Sequence, residues 1–439
     1  MIFAGGWGPE GNQASLEAQA SALSKAVAPS QPVVLFAGPK GKHRTVQVLA
    51  RDADEVGALL ALAFDHKNLI DVTYRQPRLQ SHGAATAEAL LSHLERAAAA
   101  GRSFIGLGLG HGSLFDDGKQ VRLDLWGPPS SALTAQRLTD ELARMRPKAP
   151  VAFVLGQCHS GGFTEVALQR ADAGDAVCVL AAIPRDREAS GCTPDISDPS
   201  ARSYMAMIAE ALSSPRADLD RDRRVSLAEA HAYARIEDLT IDVPVSTREA
   251  FLRRAMGDKP PSLDRVVIDK LIRRAPPTER AVLTRLRPRT KPNTRVADVS
   301  AQLEAMDAKL TELDRAIADL ERKRGDLQSK LRSRVIARWP ELGNPYHRAS
   351  RTLLAGGAPE VVAVIRASPE LKAIRELDAK IRRRLGRYSS LSNEAARVER
   401  WLRAAEIVEY ERRWRPRATA ASRATFARIV QCEGLHPHK

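Results

Sequence analysis

The chain has 439 residues, 44% hydrophobic and 5% aromatic, with a net charge of +15. That length allows two or three domains at roughly 100–200 residues each, and no window approaches the roughly 18 consecutive apolar residues of a membrane span. The opening MIFAGGWGPEG lacks a basic stretch followed by an apolar one, and Cys158, Cys178, Cys192 and Cys432 are irregularly spaced with no CxxC, so no secretory leader is expected, the spacing argues against a disulfide scaffold and a zinc ribbon, and reduced cysteines in a cytoplasmic protein are expected.

The charge is uneven. Residues 1–250 carry 26 basic and 30 acidic side chains, and residues 251–439 carry 42 and 23. Two units with different roles are expected.

In chain order, a Gly-rich turn opens the sequence, followed by a helix over Ser15–Val27. Short apolar runs at Val33–Gly38, Leu69–Tyr74, Ser103–Leu109, Val151–Leu155 and Ala176–Ile183 read as strands. Helical patterns fall at Glu55–Phe64, Gly83–Ala100, Thr134–Met145 and Phe163–Ala171. This alternation predicts an α/β domain with a mostly parallel sheet covered on both faces. Val121–Trp126 alternates polar and apolar residues and reads as an antiparallel side ribbon. Helices follow near Arg202–Leu212 and Ser226–Arg235, and the domain is expected to span 1–259. Residues 260–296 are rich in Pro and Arg and read as a linker. Residues 297–439 carry apolar residues at spacings of three and four in two long stretches, which predicts an antiparallel helical hairpin or coiled coil.

In an open α/β sheet, functional residues collect at the carboxyl ends of strands. Two predicted strands end in reactive residues: FIGLGLG–His111–Gly112–Ser113 and VAFVLGQ–Cys158–His159–Ser160. If they are parallel neighbours, a thiol and an imidazole emerge at one edge. The thiolate can attack a carbonyl carbon while the imidazole moves the proton. Backbone N–H groups of Gly112 and Cys158 are the candidate oxyanion donors. Taken singly, a Cys ending an apolar strand is a packing residue and a His before Gly is a turn residue. Their order and their glycine flanks together favour the dyad. His159 reads as a structural residue at a helix start, and Cys178 as core.

GHGS after one strand and QCHSGG after another resemble the caspase-like cysteine peptidases, which include caspases, metacaspases, legumains and gingipains. AIPRDREASGC (Ala182–Cys192) is similar to the legumain segment beside the substrate pocket. The resemblance covers roughly residues 30–240. It implies a caspase-like three-layer sandwich, Cys158 as nucleophile, His111 as base, and a substrate groove flanked by Gly156, Glu188 and Ser190. It also implies regulated proteolysis of protein substrates, in cell death or defence against phage. Metacaspases have an Asp, and legumains a Glu, two residues before the nucleophile. This chain has Gly156, so an uncharged and roomier pocket is expected, with Asp186, Glu188 or Asp195 as the alternative source of acid from the neighbouring loop. A non-catalytic scaffold of the same fold is the alternative.

Asp218, Asp220, Asp222, Arg224, Ser226 and Glu229 fit the register of an EF-hand calcium loop, with Arg224 supplying a carbonyl. The competing reading is an acidic cap on the helix at Ser226, with Glu229 closing a capping box. Arg223 stands where Gly makes the turn in a calcium loop.

The Arg382–Arg384 and Arg412–Arg417 runs suit a nucleic acid, an acidic protein partner or a solvated surface. A regulatory or recognition arm on a protease is expected, with a nucleic-acid-switched effector as an alternative.

Overall fold

The computed structural model describes residues 1–39, 43–50, 72–257, 262–288, 293–344 and 358–437, and the isolated residues 59, 62, 63, 348 and 352. The helix expected at Glu55–Phe64 and residues 69–71 of the expected Leu69–Tyr74 strand lie almost wholly outside them. The described residues form a mostly parallel α/β sheet followed by long helices.

The strands are β1 (Ile2–Gly5), β2 (Val34–Phe36), β3 (Val46–Leu49), β4 (Val72–Arg75), β5 (Phe104–Phe115), β6 (Gln120–Asp124), β7 (Leu133–Thr134), β8 (Val151–Leu155), β9 (Val177–Ala181) and β10 (Val245–Ser246). The main sheet runs β10-β9-β8-β5-β1-β2, and only β10 is antiparallel on this path. β6 pairs antiparallel with the far half of β5 and with β7, as the alternation at Val121–Trp126 predicts. β3 and β4 form a separate pair.

Helices α1 (Ala14–Ala26), α2 (Ala87–Ala99), α3 (Ala135–Met145), α4 (Thr164–Asp172), α5 (Tyr204–Leu212), α6 (Leu227–Glu237) and α7 (Thr247–Met256) cover this sheet. Strand residues alternate between its faces. Ile2, Ala4, Val154 and Leu180 pack with α1, α5 and α6, whereas Phe3, Phe153, Leu155 and Val179 pack with α2, α3 and α4. Side chains such as Phe153, 1% exposed, contribute about 1.5–3 kcal/mol each by burial. Thr86 and Thr134 cap α2 and α3 by accepting from Ala89 and Arg137 N–H, so α2 begins at Ala87 and not at Gly83.

Three expectations are corrected. The opening residues are not a turn: Ile2–Gly5 is an interior strand between β2 and β5. Within the expected 260–296 linker, the described residues 262–288 and 293–296 are not open chain. They hold α8 (Ile268–Arg274) and α9 (Pro277–Arg285), which bury Ile268, Leu271, Val282 and Leu283. Pro277 sits at the first helical turn, where its missing N–H costs nothing. Finally, Cys178 and Cys432 are not both free: they are disulfide-bonded, S–S 2.09 Å.

The remaining helices are α10 (Val296–Arg338), α11 (Pro359–Ala367), α12 (Pro369–Trp414) and α13 (Ala420–Glu433). The chain divides into two units, and the division does not fall at 297. One unit comprises Met1–Val48, Tyr74–Leu303 and Ala395–Lys439. The other comprises Leu49–Thr73 and Glu304–Glu394. In the first unit, the end of α12 and all of α13 complete the α/β core. Trp401 is fully buried and donates to the Leu283 carbonyl at 3.0 Å, and Arg428 donates to the Ala171 carbonyl at 2.8 Å. In the second unit, α10 and α12 run antiparallel. Arg324 pairs with Asp378 at 2.6 Å and Arg334 with Glu370 at 2.7 Å. Leu331, Val335, Val361, Ile365 and Ile374 form its apolar centre.

Candidate active site

Strands β1, β5 and β8 are parallel neighbours, so their carboxyl ends open at one edge. The pairing of β5 with β8 runs to Gly108 and Leu155, so His111 and Cys158 each follow by three residues on neighbouring chains. Gly156 N–H donates to the Gly108 carbonyl at 2.9 Å, extending the pairing toward the thiol. The two backbones then close up. A Cβ at position 112 would lie 2.2 Å from the Cys158 carbonyl oxygen. Gly110 has φ +143°, and a Cβ there would lie 2.3 Å from the Gly5 carbonyl oxygen, so this bend favours glycine.

β1 supplies partners that the sequence did not reveal. The chain leaving β1 makes a short turn at Pro9–Gly11. His111 Nε2 lies 2.9 Å from the Gly11 carbonyl oxygen and 2.9 Å from Gln13 Oε1. A carbonyl only accepts, so Nε2 carries the proton and Nδ1 holds the free lone pair of the neutral ring. Trp7, 43% exposed, meets the imidazole edge-on with centroids 4.9 Å apart. Asp124 faces His111 across β5 and β6 and is ion-paired with Arg122 at 2.9 Å. Burial holds the His111 imidazole below its ordinary pKa, opposed by the Gly11 hydrogen bond and the Asp124 charge.

Cys158 is half-buried, and the Ala189 N–H donates to its Sγ at 3.2 Å. Burial pushes the thiol up, the Ala189 hydrogen bond draws it down, and the charges of Glu188 and Asp242 push it up again. Cys192, donating to the Gly110 carbonyl at 3.6 Å, is pushed up to about 12, mainly by burial. His159 occupies a left-handed backbone position at φ +60°, with Nδ1 2.8 Å from the Arg185 carbonyl oxygen. That is the structural place expected of it.

Glu188 is exposed beside the thiol, and Ser190 is half-buried with its N–H donated to Asp242 at 2.7 Å. Asp242 is fully buried, and its carboxyl is pushed up to about 8 by burial and by Asp238. Gly156 lies against Met205, whose Cγ is 2.3 Å from where a Cβ at 156 would stand.

The loop at 218–229 lies outside this arrangement. Asp218, Asp220 and Asp222 gather ligand atoms within 4.8 Å of one another, and Arg223 takes the turn at φ +69° despite its side chain. Glu229 does not join them. One oxygen accepts from Leu219 and Asp220 N–H, and the other from Ser226 N–H and Oγ. Ser226 Oγ in turn accepts from Glu229 N–H at 3.2 Å, closing the capping box. The six-residue calcium set is thus not assembled, because both oxygens of its bidentate member are spent on backbone and on the cap.

Among the described residues no helix is long and apolar enough to cross a membrane. Neither the models of known protein families nor the curated proteins give a match to this chain.

Proposed function

We propose that the chain is a caspase-like cysteine endopeptidase, with the corresponding sandwich fold, that hydrolyses peptide bonds in regulated proteolysis of protein substrates. The observation that supports the proposal is the close approach of Gly112, next to His111, to the Cys158 carbonyl at the edge where β5 and β8 lie side by side. His111 Nδ1 takes the thiol proton as Sγ bonds to the scissile carbonyl carbon. Gly112 and Cys158 N–H groups receive the oxyanion. The C–N bond breaks, Nδ1–H protonates the leaving amine, and water hydrolyses the thioester with His111 again as base. The thiol and the imidazole both rest uncharged near neutrality, which favours proton transfer in step with attack over a preformed ion pair. Met205 beside Gly156 favours an uncharged P1 side chain.

The test is a peptide library profiled on the full-length protein and on Cys158→Ala. Wild-type cleavage with an uncharged P1, absent from the alanine variant, is expected. Equal cleavage by both would refute the dyad, and best cleavage after Arg would refute the pocket assignment.

A further inference from the structure

We infer that Asp242 is a positioning residue for the Cys158 sulfur, held in place by Arg400 from the C-terminal part of α12. This rests on Cys158 being the nucleophile. The sulfur is bracketed by one residue, Ala189, whose N–H donates to it at 3.2 Å. The next N–H, of Ser190, goes to Asp242 Oδ1 at 2.7 Å. The other carboxylate oxygen accepts from Tyr204 N–H, at the start of α5, at 3.3 Å. One carboxylate therefore pins the segment beside the thiol to a helix start. It is 0% exposed and has no access to substrate.

The turn that carries Asp242 is itself held. Asp238 accepts from Thr240 N–H at 2.7 Å, and Asp242 N–H donates to Thr240 Oγ1 at 3.3 Å. Arg400 is 1% exposed and spreads its guanidinium over three carbonyls. These belong to Arg235 at 3.2 Å, Asp238 at 2.6 Å and Thr240 at 3.5 Å. A planar fork of five donors can hold three acceptors at once, which a lysine ammonium matches poorly.

Neighbouring residues of the same helix touch the same segment. Ala396 packs with Ile183, Val243 and Ala189. Glu399 pairs with Arg187 at 2.6 Å, and the Arg187 carbonyl accepts His159 N–H at 2.9 Å. Buried charges are costly, and for packing alone an apolar cluster would serve as well. What the charged groups add here is orientation of backbone around the sulfur.

The test uses full-length Asp242→Ala, Asp242→Asn and Arg400→Lys. Iodoacetamide labelling of Cys158 is mapped by mass across a pH series, with half-buried Cys192 as internal control. With the Ala189 N–H displaced, the labelling midpoint of Asp242→Ala should move up. At fixed pH its rate should fall ~10-fold, the lower end for a lost hydrogen bond to a charged atom. Asp242→Asn keeps one of the two acceptors and should shift upward by less than Asp242→Ala. Arg400→Lys should shift upward by less than Asp242→Ala. In a peptidase assay, kcat should fall with KM little changed.

If Asp242 acted only as a nearby negative charge, both substitutions would move the midpoint down together, overturning the inference. A lowered melting temperature with an unmoved midpoint would overturn it too. Should Asp242→Ala not fold, Arg400→Lys decides: an upward shift supports the inference, and no shift overturns it. Labelling needs no turnover, so a wild type that cleaves no peptide would remove the nucleophile assignment separately.

Discussion

Gly112→Ala tests the closest backbone approach at the site. The added methyl carbon would stand 2.2 Å from the Cys158 carbonyl oxygen, 3.2 Å from Gln157 Cβ and 3.3 Å from the Arg122 carbonyl oxygen. Ordinary carbon contacts begin near ~3.5 Å, so the two backbones must part by roughly 1 Å. The nearest atom is backbone of the turn after β8, with no flexible side chain to swing aside. The movement displaces Gly112 and Cys158, whose own N–H groups are assigned to the oxyanion. Misplacing one such donor costs about 10²–10³ in kcat, and a 1 Å misplacement is by itself of the order of 10²-fold. The expected result is a loss of kcat of about 10²-fold, with KM changed little. Steady-state kinetics on the best library peptide, together with a melting curve, give the readout. Undiminished kcat in a normally folded Gly112→Ala protein would refute both the close approach and the oxyanion assignment.

Three further outcomes are expected. Burial lowers His111 and raises Cys158, so the acid limb of kcat/KM should lie below the ordinary imidazole range and labelling of free Cys158 should keep rising into alkaline solution. A labelling plateau already reached at neutral pH would contradict the uncharged resting pair. At the acidic loop, Glu229→Ala should cost about 1 kcal/mol of stability, as a lost cap does, and Glu229→Gln should also destabilise, because its NH2 would face donors that a carboxylate oxygen now accepts. A calcium-dependent rise in melting temperature abolished by Glu229→Gln would instead make Glu229 a ligand. Finally, a chain ending at residue 272 should fail to unfold cooperatively, because it lacks Trp401 and the other buried residues of 395–439. A fusion that replaces only 304–394 with a flexible linker should melt cooperatively and keep small-peptide cleavage.

The sheet was legible because its strands are continuous apolar runs ended by glycines, and β5, β8 and β9 fall close to their expected places. The side ribbon was legible from its alternation. β1 was not, because four residues at the start of a chain followed by Gly–Gly give no periodicity to read. Missing β1 also hid Gly11, Gln13 and Trp7, since what aims them at His111 is the pairing of β1 with β5. Asp124 was hidden for the same reason: its role comes from register across β6. The contact of Gly156 with Met205 was hidden because Met205 comes from a distant helix. Asp242 and Arg400 carry no local signal, being joined only by the fold.

The Pro- and Arg-rich segment shows why charge misled. Arginine counts as a solvent signal in composition, yet here many arginines are interior struts. Arg248 is ion-paired with Glu279 at 3.1 Å and also pairs with Glu411 at 2.5 Å. Arg403 pairs with Glu249 at 2.6 Å and Glu399 at 3.1 Å. Glu409, buried, receives Arg412 and Arg413 at 2.6 Å each and also pairs with Arg274. The arginines drawn into these pairs belong to the unit that holds Cys158, and neutralised there they offer little to a polyanion. Phosphate contacts need cations that solvent can reach. Of the two runs that suggested nucleic acid, the later one is largely spent on Glu409 and Glu411. Arg382 and Arg383 stay exposed on the part of α12 that belongs to the other unit.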